Sequence, residues 1–283
     1  MTVRLKADAA GTATFLRHPA LAGLCLAVSL SACAAKLPPR PVGTATPDPS
    51  AVDAFRAATA SCNGFRSIEG ELGLSGRAGG ERVRGRVIAG LEPGGAVRLE
   101  AVAPFGAPFF ILAGRDERAT LVLPRERRVL QDTGVRDVLE RITGLALGAD
   151  DLRLVMSGCL VEQASPSDGR QWGADWKAVT LAPERVAYLR ILNGQPVLMA
   201  ADYGTWRVDY SGHLSGFPRV VRIRSSAVDS RPGEAGIDIT ARIEQLNVNT
   251  TINPRAWSVD VPSNADPMTL DELRSIAPLA EKK

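Results

Sequence analysis

The sequence predicts a mainly β protein of the α+β class: one antiparallel sheet with short helices laid against it. Three observations lead there. Apolar and polar residues alternate with period two, as in Val97, Leu99 and Ala101 against Arg98 and Glu100. Val220 and Ile223 alternate in the same way with Arg219, Arg222 and Arg224, and Ile237, Ile239, Ala241 and Ile243 with Asp238, Thr240, Arg242 and Glu244. This is the pattern of strands with one buried and one wet face. Gly79-Gly80, Gly94-Gly95, Asn193-Gly194 and Pro232-Gly233 supply turns between such stretches. Helices and strands do not alternate regularly, which excludes a Rossmann or TIM architecture.

Residues 1–32 read as a targeting segment rather than as fold. Arg4, Lys6, Arg17 and His18 form a basic leader, and an apolar run of 11 residues follows from Ala20 to Leu30. It is too short for a membrane span, which needs about 20 residues, but suits the core of a signal peptide. The run ends in Leu30-Ser31-Ala32-Cys33, which resembles the lipobox of bacterial lipoproteins. The resemblance implies cleavage before Cys33, a diacylglyceryl group on its thiol and acylation of its new amine. The plainer alternative is a secretory signal with an unrelated cysteine. Ala34, not Asp, follows Cys33. Under the sorting rule for such lipoproteins this implies the outer membrane, with the domain facing the periplasm. Pro38, Pro39, Pro41, Pro47 and Pro49 make residues 33–50 a lipidated cysteine followed by a proline-rich tether, which extends at about 3.1 Å per residue.

The folded domain is expected over 51–264. Beyond the alternating stretches, strands are expected near 71–77, 82–90, 108–114, 119–123, 127–131, 176–182, 185–192, 196–202, 206–210 and 257–261. Val135, Val138, Leu139, Ile142 and Leu145 fall at helical spacing and predict a helix over 134–147. A second helix over 150–157 has Asp150 as its expected N-cap. Shorter helices are expected over 51–60 and, in a C-terminal tail of 265–283, over 267–277, opened by Asp266-Pro267.

Composition narrows the function. The 283 residues are 45% hydrophobic and 23% charged, the balance of a folded protein. Thirty-four basic against 31 acidic residues, net +3, is too even for a chain whose main partner is nucleic acid. Aromatics at 5% do not furnish a base-stacking platform. The two histidines, His18 and His213, leave His213 alone for a nucleophilic triad, and there is no Gly-x-Ser-x-Gly elbow. Asp116-Glu117 and Asp150-Asp151 are explained by turns and helix caps. No cluster has metal-ligand spacing, so neither an enzyme nor a cofactor is expected. Cys62 and Cys159 are the cysteines left beside Cys33 after cleavage. In an oxidising compartment such a pair suggests a disulfide; two separate buried thiols are the alternative.

The order of features resembles the LolA/LolB lipoprotein-localisation superfamily, LolB-type members above all. The resemblance is carried by Glu69-Gly-Glu-Leu-Gly-Leu-Ser-Gly-Arg77, by Val97-Arg-Leu-Glu-Ala-Val-Ala-Pro-Phe-Gly106, and by Phe109-Phe110-Ile111-Leu112 with Ala119-Thr-Leu-Val-Leu123. The helical stretch Val135–Leu160, Thr205-Trp-Arg-Val-Asp-Tyr210, and Pro218 followed by Val220, Arg222 and Ile223 complete it. It covers most of the chain after Cys33. The tail beyond the last strand and the Cys62/Cys159 pair depart from the pattern. The resemblance implies an incompletely closed antiparallel β-barrel, covered by short helices and enclosing an apolar cavity that binds acyl chains. The implied partners are acylated lipoproteins, a LolA-like periplasmic carrier and, through the lipid anchor, the membrane; the implied state is a monomer.

Candidate residues follow. Pro104, Phe105 and Gly106 form a turn that the resemblance makes a membrane-insertion loop, with Phe105 at its tip. The alternative is that Phe105 folds back onto the sheet. Phe109 and Phe110 are consecutive and point to opposite faces. Leu99, Ile111, Leu121, Leu139, Ile142, Met156 and Ile223 are the candidate cavity lining, with ordinary core packing as the alternative. Arg77 and Arg98 are candidates for a lipid headgroup or for plain solvation. The expected function is binding and membrane insertion of lipoprotein acyl chains. The rivals are an envelope scaffold or carrier for another lipid and, less favoured, a small envelope enzyme.

Overall fold

The computed structural model describes residues 39–78, 81–103, 105–160, 165–225, 236–276 and 278–279. Strand β1 (Thr46–Pro47) and helix α1 (Ser50–Ala58) lead into a meander of six strands: β2 (Ile68–Ala78), β3 (Glu81–Glu92), β4 (Ala96–Val102), β5 (Phe110–Arg115), β6 (Arg118–Leu123) and β7 (Arg128–Gly134). Helices α2 (Val135–Thr143) and α3 (Ala149–Ser157) follow. A second meander runs through β8 (Ser167–Trp172), β9 (Trp176–Ala182), β10 (Arg185–Leu192), β11 (Gln195–Tyr203), β12 (Trp206–Ser211), β13 (Val220–Ser225) and β14 (Asp238–Val248). Strand β15 (Asp266–Pro267) and helix α4 (Leu270–Ile276) close the chain.

All strands join one sheet, ordered β1-β8-β9-β10-β11-β12-β13-β14-β2-β3-β4-β5-β6-β7-β15. Neighbours are antiparallel except β15, which runs parallel to β7. The two meanders meet where β14 pairs with β2. The ends β1 and β15 do not pair, so the barrel is incompletely closed, as expected.

The period-two pattern fixes which face is buried. One inward row crosses eight strands through register partners: Val179, Ala187, Ala201, Val208, Ile223, Ile239, Gly76 and Val83. A second joins Ala89, Leu99, Leu112, Leu121 and Leu130. Helix α1 packs on β8–β11, α3 on β3 and β4, and α2 on β7 and α4. Their apolar residues, Phe55, Val135, Val138, Leu154 and Val155 among them, complete the core. Gly158 ends α3 in the left-handed region, at φ 74°, where a side chain is strained. Cys62 and Cys159 form a disulfide, with Cα atoms 5.4 Å apart. It joins the turn after α1 to the residue just past α3.

Four expectations need correction. The stretch 257–261 is not a strand. Residues 254–257 form a 3-10 turn, and Trp257 packs with Ile252 and Ala96 on the outer face. Arg98 holds that segment by donating to the carbonyls of Ala256 and Ser258. The described part of the tether, from Pro39, lies against the sheet. Arg40 pairs with Asp202 and Asp209 and stacks on Tyr188, and Lys177 holds Asp48. The tail from 265 belongs to the same unit as the sheet, with Met268 and Leu273 buried. Asp150 is not the N-cap of α3; Gly148 is.

Candidate functional site

Strand β4 leaves the sheet after Val102, and the chain returns as β5 at Phe110. Between them Phe105 is 88% exposed, so it does not fold back onto the sheet. Gly106 follows at φ 78°, in a region that favours glycine. Pro104 lies outside the described residues. The loop is braced from the β6–β7 turn. Arg125 donates from Nε to the carbonyl of Ala107 at 2.9 Å and from its terminal nitrogen to the carbonyl of Phe105 at 3.0 Å. Its guanidinium also lies 4.3 Å from the ring centre of Phe109. Phe110, one residue on, is buried in the core, so the two rings part as the alternation requires. An exposed aromatic ring on a braced loop is costly in water and favourable at an apolar surface.

Of the seven candidate lining residues, Leu99, Leu121, Leu139, Met156 and Ile223 lie in the buried core. Leu99 and Met156 border a wholly apolar void of about 30 Å³ beneath α3. Ile142 instead borders a much larger groove of about 870 Å³, between α2, α4 and the β2–β3 hairpin. Val83 and Leu279 line it too, with Glu140, Arg141 and Arg274. Ile111 is misplaced by the lining assignment. It is the register partner of Glu100 and Val122, on the face opposite Leu112. The apolar run Phe109–Leu112 hid the alternation.

The helices over the sheet are held by charge. Glu117, in the β5–β6 turn, accepts from the backbone N–H groups of Ala149 and Asp150 at 2.9 and 3.2 Å. Its carboxylate therefore satisfies the first turn of α3 from a distant loop. Arg136 pairs with Asp151 at 2.8 Å, tying α2 to α3. Arg128 pairs with Glu272 at 2.7 Å, tying β7 to α4. The Arg128 hydrogen bond, with Thr269 assisting, pulls the Glu272 carboxyl down to about 2. Burial lowers the pKa of His213 and raises those of Tyr203 and Tyr210. Among the described residues no group of three metal-ligating side chains converges.

No protein-family model and no curated protein matches the sequence. Solved structures show partial likenesses. A putative outer membrane lipoprotein-sorting protein domain from Vibrio parahaemolyticus has a TM-score of 0.42 at 10% identity, covering 73% of this chain and 95% of that one. A DUF1329 family protein from Desulfovibrio piger has a TM-score of 0.45 at 13% identity, covering 75% and 97%. The Mycobacterium tuberculosis lipoprotein LppX has a TM-score of 0.28 at 11% identity, covering 71% and 100%.

Cys33 and the targeting segment lie outside the described residues. Arg125 was not found from sequence and carries no local signal, because it works on a partner from a separate hairpin. The Asp116-Glu117 pair was read as a turn or helix cap, and Glu117 does cap a helix, the distant α3.

Proposed function

We propose that this chain is a lipid-anchored envelope lipoprotein that binds the acyl chains of other lipoproteins and helps insert them into the outer membrane, in the manner of LolB-type proteins. The observation that carries the proposal is Phe105, exposed at the tip of a loop that Arg125 holds in place. Cargo enters through the groove beside Ile142, whose volume is within the range of ligand sites. Each buried methylene contributes about 0.8 kcal/mol, so transfer down a gradient of burial proceeds without a covalent step or a nucleotide. A LolA-like carrier supplies the cargo, and the lipid on Cys33 holds the receiver at the periplasmic face.

The test compares full-length wild type with Phe105→Glu, both loaded with a palmitoylated peptide and mixed with liposomes. Loading is expected to be equal and delivery at least tenfold slower in the variant. Equal delivery, or unfolding caused by the substitution, overturns the insertion role.

One observation favours a second reading. The void beneath α3 holds only about 30 Å³, so the barrel is filled by its own side chains. An envelope scaffold that carries no lipid needs no more space. Failure of wild type to load the palmitoylated peptide selects that reading.

A further inference from the structure

Beyond cargo binding, we propose that the outer face of β13, β14, β2 and β3 is a docking surface for the phosphate headgroups of an anionic bilayer. Strand register builds it. Arg77 in β2 is the partner of Asp238 on one side and of Arg82 on the other. Two residues along, Ser75 lies between Thr240 and Arg84, and Thr240 in turn partners Arg222. Alternate residues of a strand are about 6.7 Å apart and neighbouring strands about 4.8 Å, so these side chains form a grid on one surface. They line a shallow groove of about 560 Å³ with four arginines, Arg77, Arg82, Arg84 and Arg222, and a single carboxylate, Asp238. Arg222 engages Asp238 through two hydrogen bonds, of 2.7 and 2.6 Å.

The lipidation proposed at Cys33 selects the anion. Arg40 is pinned on the same outer surface, on Asp202 of β11 and Asp209 of β12, and Asp209 also accepts from Arg224 of β13. Cys33 is seven residues before Arg40, a span of at most about 25 Å fully extended. A lipid on Cys33 therefore holds Arg40 within that reach of a bilayer, and a bilayer is then the anionic surface available to the same side of the sheet; this step rests on the lipidation proposed above. The Phe105 loop leaves the sheet beside the same strand, since Val102 is the partner of Arg86. Stable protein interfaces have an apolar core; in this groove seven of the nine lining residues carry a charge or a hydroxyl, and Val83 is the one apolar side chain. A membrane surface fits it better than a folded partner.

The test uses the full chain carrying Cys33→Ala, so that no acyl chain contributes, in co-sedimentation with vesicles. Binding is expected to vesicles of phosphatidylcholine with phosphatidylglycerol and not to phosphatidylcholine alone, and to vanish in 0.5 M salt (roughly a 4 Å screening length). Each arginine at an anionic surface strengthens binding about fivefold. Arg77→Gln with Arg84→Gln should therefore weaken it about 25-fold, while Arg77→Lys with Arg84→Lys retains it. Removing the same charge at the exposed Arg56 and Arg255 should change it less than twofold. Equal binding to both vesicle types, or no loss with the glutamine pair, overturns the proposal. So does full displacement by millimolar inorganic phosphate, which marks a small-anion site, or binding only in the presence of an acidic protein. Palmitate labelling of the unaltered chain is read separately. Its absence removes the lipidation reading and leaves the vesicle result to decide the groove.

Discussion

Arg125 donates to the carbonyl of Phe105 at 3.0 Å across two different hairpins. The bond makes the β4–β5 loop a tertiary structure rather than a free end. The same guanidinium also caps Ala107 and lies over Phe109, so one side chain governs how the exposed ring is presented.

Replacing Arg125 with Ala removes both loop bonds and the cation–π contact. All are solvent-accessible, and the stability cost should be about 1 kcal/mol or less. The local effect should be larger. Amide hydrogens of residues 105–109 should exchange faster in the variant, with the strands unchanged. Unaltered exchange at Phe109 would show that the loop holds itself.

Leu121 and Ile111 distinguish the two faces of the sheet. Leu121 is fully buried inside, and Leu121→Ala should cost about 2–5 kcal/mol. Ile111 is only half-buried on the outer face, and Ile111→Ala should cost about 1 kcal/mol. Urea midpoints of the two variants, compared at constant slope, check the order.

The disulfide closes a loop of 97 residues, which on the chain-entropy model contributes about 4–5 kcal/mol. Cys62→Ser with Cys159→Ser should lower the unfolding free energy by about that amount. The oxidised native chain should show no reactive thiol at these positions until it is reduced. Two thiols titrating in the unreduced native sample would remove the pairing.

Acid should loosen α4 before the sheet. The Glu272 carboxyl is held at about 2, below its ordinary 4.5. A depressed carboxyl stabilises the fold above its unfolded pKa and loses that contribution as pH falls through the folded value. The gap in thermal midpoint between wild type and Glu272→Gln should be complete above about pH 4.5 and close as pH approaches 2. A gap that does not change with pH would assign the difference to packing.

The alternating strands were legible because burial on one face writes itself into every second residue. Leu99 and Ile239 announce their faces. Ile111 did not, because Val122 and Ala113 beside it are also apolar on the outer side, where 252–257 adds a second cluster. Strand β8, Ser-Asp-Gly-Arg-Gln-Trp, has no alternation and forms because β9 and β1 offer it backbone partners on both sides. The proline-rich segment gave no sign that Arg40 would find Asp209, 169 residues away. Arg77 stood out as a headgroup candidate, but the grid around it was hidden: Arg77 and Arg222 are distant in sequence and are brought together by the pairings of β13 with β14 and of β14 with β2.

That same pairing orders the assembly of the chain in time. Strand β2 gains β3 at once through a hairpin, but its other neighbour, β14, begins only at Asp238. A chain that emerges from its N-terminus can form β2–β7 while the first edge of β2 still lacks a partner. Such an edge is a template for aggregation unless charge blunts it. Glu69, Glu71 and Arg77 place charge along β2. Closure of the sheet is a long-range step and therefore a slow one, and charge on these three side chains makes the open edge a poorer template in the meantime.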